Sequence, residues 1–192
     1  MIRLEIPIPE AKIRELKVGD TVLLTGIVVT ARDAGHKLMV EERPQFLDDL
    51  LREGVIYHCG PVVKKEGERW TFVAAGPTTS AREEPYQAKV IESYTVRGVI
   101  GKGGMGAATL EACRKFGAVY FHAVGGCGTS IAQSVKEVVA VHKLEEFGTP
   151  EAFWVTRVED FPVIVTMDSH GRSIHDEVRA ESKKVYEELM KA

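Results

Sequence analysis

Cysteine is scarce: Cys59, Cys113 and Cys127 are the three in 192 residues. They are too few and too widely separated for a disulfide framework, and they fit no zinc-ligand spacing. Cys113 falls within a helical pattern and Cys59 follows the apolar run Val55-Ile56-Tyr57-His58, so both read as core residues. Cys127, in Gly125-Gly126-Cys127-Gly128, has no second cysteine or histidine at ligand spacing. Charge of one sign is also lacking. The net charge is −3, with acids and bases interspersed, which excludes a nucleic-acid-binding face and a membrane-seeking basic helix. No apolar run approaches membrane-spanning length. Met1-Ile2-Arg3-Leu4-Glu5-Ile6-Pro7 places charge and proline where a signal peptide needs unbroken apolar residues, so a cytoplasmic protein is expected.

What is present suits an α/β fold. A chain of 192 residues that is 44% hydrophobic can bury a substantial core, and one domain over residues 1–192 is expected. In the first half, Thr21–Thr30, Val55–Cys59 and Trp70–Ala75 read as strands, with a hairpin turn at Lys64–Glu68 between the last two. Residues 34–53 follow a helical rhythm broken at Pro44. This predicts an antiparallel portion with a helix laid beside it. The second half alternates: helix 83–93, strand 96–100, helix 107–116 ending at Gly117, strand 118–123 and helix 129–142. That alternation predicts parallel βαβ units. Trp154–Val158 and Pro162–Asp168 read as closing strands, and Asp176–Ala192 as a charged helix with a thin apolar stripe.

Three loops carry the candidate chemistry. Gly101-Lys102-Gly103-Gly104-Met105-Gly106 lies between a strand and a helix. Glycines let an anion approach the backbone, a helix start offers unpaired N–H groups, and Lys102 adds a full charge. The loop lacks the Gly-Lys-Ser/Thr ending of a Walker loop and the wider spacing of a dinucleotide fingerprint, which leaves a small anion or a purely architectural turn. Gly76-Pro77-Thr78-Thr79-Ser80-Ala81-Arg82 joins three hydroxyls to a guanidinium, a set suited to a carboxylate or to helix capping. Thr30-Ala31-Arg32-Asp33-Ala34-Gly35-His36-Lys37 places Arg32 and His36 four apart, where they can share one face of a helical turn. His36 alone reads first as a satisfied surface or core histidine. Together the loops offer Arg32, Arg82 and Lys102 at strand exits, where α/β folds gather ligands, and three cations suit a dicarboxylate.

These three segments resemble, in order and spacing, the β subunit of class I fumarate hydratase and of its sibling L-tartrate dehydratase. Tyr57-His58-Cys59-Gly60-Pro61, Glu111-Ala112-Cys113 and Trp154–Pro162 extend the resemblance over nearly the whole chain. The resemblance implies a swivelling β/β/α-type domain that closes over an α subunit carrying a [4Fe-4S] cluster, with no cluster ligand on this chain. The iron would act as a Lewis acid on the departing hydroxyl. By carry-over, Arg32, Arg82 and Lys102 would hold the carboxylates of fumarate or malate, with Thr79, Gly101 and Gly103 in the same substrate-binding loops. Thr78 would take or return the carbon-bound proton, aided by a relay partner on the α subunit because a threonine hydroxyl is a poor base. The cations would offset the second negative charge of an aci-carboxylate. His36 would act in catalysis or position Arg32. Met105 stands where many family members have a basic residue, leaving Lys102 as the side-chain charge of its loop. Ala123-Val124-Gly125-Gly126 resembles the fumarase version of its loop, so fumarate is expected over tartrate; a stand-alone dicarboxylate-binding module is the reading from a different class.

Overall fold

A computed structural model describes residues 1–191. Nine strands and eight α-helices follow in chain order among these residues: β1 (Ile2–Glu5), α1 (Glu10–Glu15), β2 (Thr21–Thr30), α2 (Asp33–Glu41), α3 (Asp48–Leu51), β3 (Val55–Tyr57), β4 (Val62–Glu66), β5 (Arg69–Ala74), α4 (Glu84–Tyr94), β6 (Gly98–Gly101), α5 (Ala107–Phe116), β7 (Val119–His122), α6 (Gly128–Ala132), β8 (Val135–His142), α7 (Leu144–Phe147), β9 (Phe153–Met167) and α8 (Ile174–Leu189). Seven strands form a mixed sheet in the order β1-β2-β3-β6-β7-β9-β8, and β9 also pairs with β2. The strands β2, β3, β6, β7 and β9 therefore pair in a closed circuit. β1 through β7 of this sheet run parallel to their neighbours, while β9 runs antiparallel to β2, β7 and β8.

Successive side chains of each strand point to opposite faces, and the core divides accordingly. Val55, Tyr57, Val119, Phe121 and Trp154 belong to one buried cluster. Ile56, Val99, Tyr120 and Phe153 belong to the other, with Met39 of α2, Val90 and Ile91 of α4 and Cys113 of α5. Burying each such large side chain contributes roughly 1.5–3 kcal/mol. Cys59 and Cys113 are interior residues as expected, and burial raises both thiols to about 12. Cys127 is exposed.

The mixed sheet, the break at Pro44 and α5 with its left-handed Gly117 cap follow the expectation. Three assignments differ. β3 does not form a hairpin with β5. All three β3 residues are buried and pair in parallel with β2 and β6, while β5 turns back on β4 around Gly67. A strand covered on both faces reads as a continuous apolar run, and such strands belong in parallel sheets. The antiparallel pairings of the first half are thus β4 with β5, and β2 with β9. Residues 129–142 form not one helix but a short α6 followed by β8. Register shifts between Val135 and Glu137 and between Val138 and Ala140 break the two-residue alternation of β8, so its valines fall at helix-like spacing. The two closing strands are one continuous β9.

Candidate functional site

Parallel pairing of β2, β3, β6 and β7 sets their carboxyl ends side by side on one edge. Arg32 lies just past β2, His58 just past β3 and Lys102 just past β6. The segment 77–80 threads between the last two. Thr78 N donates to His58 O (2.8 Å), Lys102 N donates to Thr78 O (3.2 Å) and Ser80 N donates to Lys102 O (3.1 Å). Thr78 and Lys102, twenty-four positions apart, are thereby neighbours. The Thr78 hydroxyl is buried and has no hydrogen-bond partner among the described residues.

The three cations differ in how far the chain already neutralises them. Arg32 Nη1 lies 3.3 Å from Glu151 Oε1 and 3.5 Å from the Pro150 carbonyl, while its Nε is buried without a partner. Arg82 is exposed and pairs with Asp33, which ties the loop after β2 to the loop before α4. Lys102 makes no ion pair among the described residues. Of the other expected site residues, Thr79 is exposed and Gly103 is exposed with a left-handed φ of +83°.

Side chains of the chain itself crowd Gly101 and occupy the start of α5. A Cβ on Gly101 would stand 1.8 Å from Ser80 Oγ and 2.9 Å from the Tyr120 hydroxyl, so this glycine makes room for buried side chains. The amino end of α5 is already taken by a carboxylate of the chain itself. Glu84 Oε2 accepts from Gly106 N and Thr109 Oγ1, both at 2.7 Å, and Oε1 accepts from Ala108 N at 3.2 Å. Glu151 does the same for α2, accepting from Ala34 N at 3.0 Å. An acidic side chain satisfies the orphan N–H groups and the positive end of the helix dipole at both helices. Met105 faces the core, 5% exposed, so a charge at that position would have to be buried here.

Beneath the loops lies a polar network. His36 Nδ1 is 2.9 Å from the Arg32 carbonyl, and His36 Nε2 and His58 Nε2 are each 2.9 Å from the Gln87 side-chain amide. His58 Nδ1 lies 2.8 Å from Ser80 Oγ, which lies 2.8 Å from the Tyr120 hydroxyl. His36, His58, Ser80 and Gln87 are fully buried. Burial holds the pKa of His36 below its ordinary value and that of His58 well below, His36 adding to the effect on His58. Burial, with the like charge of Asp33, raises Glu83 to about 7. Gln87, Glu83 and Tyr120 escaped the sequence reading. Gln87 shares a helix face with Ile91 and Tyr94, and an amide in that apolar stripe is the signal for a buried polar partner.

A sequence-family model described as the fumarase C-terminus matches residues 1–178. The chain belongs to this family. It is 50% identical over 184 residues to a Geobacillus stearothermophilus protein provisionally named class I fumarate hydratase, covering 95% of this chain and 35% of that protein. It is 44% identical over 180 residues to a protein of Methanocaldococcus jannaschii provisionally named L(+)-tartrate dehydratase subunit beta, covering 92% of this chain and 91% of that one. The L(+)-tartrate dehydratase subunit beta of Escherichia coli is 42% identical over 187 residues, covering 96% and 90%. The chain thus spans about a third of the fumarate hydratase and nine-tenths of the tartrate dehydratase subunits. No three histidine, cysteine, aspartate or glutamate side chains among the described residues converge as a metal site, and no helix there is long and apolar enough to cross a membrane. The three cysteines do not gather as a ligand set: Cys59 and Cys113 are buried in different core clusters, and Cys127 is exposed.

Proposed function

We propose that this chain is the β part of a class I hydro-lyase that hydrates fumarate to (S)-malate together with an α subunit carrying the [4Fe-4S] cluster. The observation that carries this reading is the Thr78 hydroxyl: buried and without a protein partner, on a residue whose backbone pairs with Lys102. Arg32 Nε and Glu83 Oε2 are buried without hydrogen-bond partners as well, so the region below the three loops has unfilled hydrogen-bonding capacity. Unmade buried hydrogen bonds are costly, and a ligand or an ordered water that completes them is favoured. Lys102 and Arg82 supply charge for the two carboxylates, with Arg32 held at the same sheet edge by Glu151. Thr79 and Gly103, exposed beside them, face the side from which a partner and substrate would come. Thr78 Oγ1 holds or returns the proton at the carbon, and the nearby cations lower the energy of the carboxylate as it gains negative charge. The cluster belongs to the proposed partner, as does the closing of this swivelling domain over it.

Fumarate is favoured over tartrate by the higher identity to the fumarate hydratase, 50% against 44% and 42%. The test expresses the chain alone and mixed with an anaerobically reconstituted α subunit, and compares turnover of malate and tartrate. Inactivity alone, restored fumarate hydration on mixing and a preference for malate are expected. Activity of the isolated chain would sink the two-subunit reading, and a preference for tartrate would replace the substrate.

A further inference from the structure

The Gln87 amide sits between two histidine rings in a way that fixes its orientation. His36 Nδ1 faces the Arg32 carbonyl at 2.9 Å, an acceptor, so Nδ1 must carry a proton. A neutral ring then presents Nε2 as an acceptor, 2.9 Å from the Gln87 amide. With the amide oxygen turned to the rings, the contact opposes two acceptors unless His36 is charged, and Gln87 Nε2 is left buried without a partner. Rotating the amide by 180° removes the opposed acceptors, the amide oxygen then taking the buried position where Nε2 had no partner. One NH2 group has two donors and there are two ring nitrogens to receive them, His36 Nε2 and His58 Nε2. His58 then carries its proton on Nδ1 and donates to Ser80 Oγ, which donates to the Tyr120 hydroxyl against the Gly104 backbone. The burial of both rings favours the neutral forms this arrangement needs.

We propose that Gln87 is a positioning residue whose side-chain NH2 group donates to both rings, holds His36 and His58 as neutral Nδ1–H tautomers, and so locks the loops bearing Arg32, Thr78 and Lys102 into one arrangement. Each end of the line reaches one of these loops. His36 binds the carbonyl of Arg32, His58 accepts from Thr78 N through its own carbonyl, and Ser80 and Tyr120 fill the volume that Gly101 leaves open below Lys102. The carboxylates facing the rings, Asp33 toward His36 and Glu83 Oε2 at 3.9 Å from His58 Nδ1, would draw protons onto them, and Arg32 and Arg82 oppose this. The part concerning substrate rests on the proposed function.

Long-range nitrogen–proton NMR on the 15N-labelled chain reads the tautomers directly. The Nδ1–H form is expected for both His36 and His58, unchanged between about pH 5 and 8, where a free histidine titrates. An Nε2–H tautomer or a charged ring at either position in the native chain would overturn the proposal whatever the substrate proves to be. Gln87→Glu keeps the shape but, ionised, only accepts, so it is expected to move His58 to Nε2–H and to raise the His36 pKa, charging that ring while Nδ1 stays protonated against the Arg32 carbonyl. Unchanged tautomers in that variant would also overturn it. In the complex with the α subunit, Gln87→Glu and Gln87→Met should lose about 10- to 100-fold in kcat/KM, the range seen when an outer partner that orients a functional group is lost. Native kcat/KM with altered tautomers would remove the positioning role. A native complex without hydratase activity would count against the proposed function alone, because the tautomers are read without it. Should both variants fail to fold, the native tautomers decide.

Discussion

Thr78 is the residue on which the proposed chemistry turns, and its surroundings separate it from the cations. Its backbone is fixed by hydrogen bonds to His58 and Lys102 while its hydroxyl has no protein partner, so Thr78→Ala removes a functional atom at little structural cost. Turnover by the assembled enzyme should fall about 100-fold or more, with the Michaelis constant little changed, because positioned proton transfer contributes roughly 10²–10⁴-fold. Lys102→Ala should instead raise the Michaelis constant about 10- to 100-fold as well as lower turnover, from the loss of a charge-assisted contact of about 1.5–3 kcal/mol. Steady-state kinetics on fumarate distinguish the two patterns. Glu83 carries a pH prediction. Burial first, and then Asp33, raises it from an ordinary 4.5 to about 7 in the folded chain. The folded state therefore binds more protons than the unfolded state between these values, and stability falls as pH rises through that window, by up to about 1.4 kcal/mol per pH unit. Chemical denaturation at several pH values should show this slope, and Glu83→Gln should flatten it.

At the scale of elements, the carboxylates at the two helix starts change how the glycine loop is understood. The sequence shows glycines before a helix, and an incoming anion is the natural occupant of its N–H groups; Glu84, more than twenty residues upstream, already fills that place. Glu84→Ala strips Gly106 N, Ala108 N and the Thr109 hydroxyl of their acceptor and should destabilise the fold by about 1–3 kcal/mol, while Glu84→Gln, keeping an oxygen, should cost less. Thermal unfolding of the two variants against the native chain checks the order. What could be read in advance had local causes. α5 has its periodic apolar face and glycine cap, β2 its β-branched run, and the expected site loops stand at strand ends where glycine, threonine and charge interrupt the apolar pattern. What could not be read depended on distant pairing. β8 passed for a helix because its bulges against β9 scramble the alternation, β3 is parallel because β6 reaches it from more than forty residues on, and Gln87 shows its purpose only when β2 and β3 bring His36 and His58 to it.

On the scale of the whole molecule, the closed circuit of strands and the helices packed on it hold the site, and α8 stands apart from both. Beyond its first turn this helix buries no residue: Val178, Val185, Tyr186 and Leu189 are 52–71% exposed. Its start is a different matter. Ser173 is buried and caps the helix, and His175 lies 3.0 Å from Thr166 Oγ1 and against Gly104 of the glycine loop. The match to the family also ends at residue 178, before the outer turns. Removing residues 181–192 should then leave the chain folded, with a thermal midpoint within about 2 °C of the native one, since removing exposed side chains usually changes stability by no more than about 0.5 kcal/mol and a domain of this size shifts by about 2–4 °C per kcal/mol. His175→Ala should cost more than the whole deletion, because it removes a contact to the glycine loop and a hydrogen bond to β9. Calorimetry on the two variants tests that order, and a deletion that unfolds the chain would show that the outer turns of α8 support the site after all.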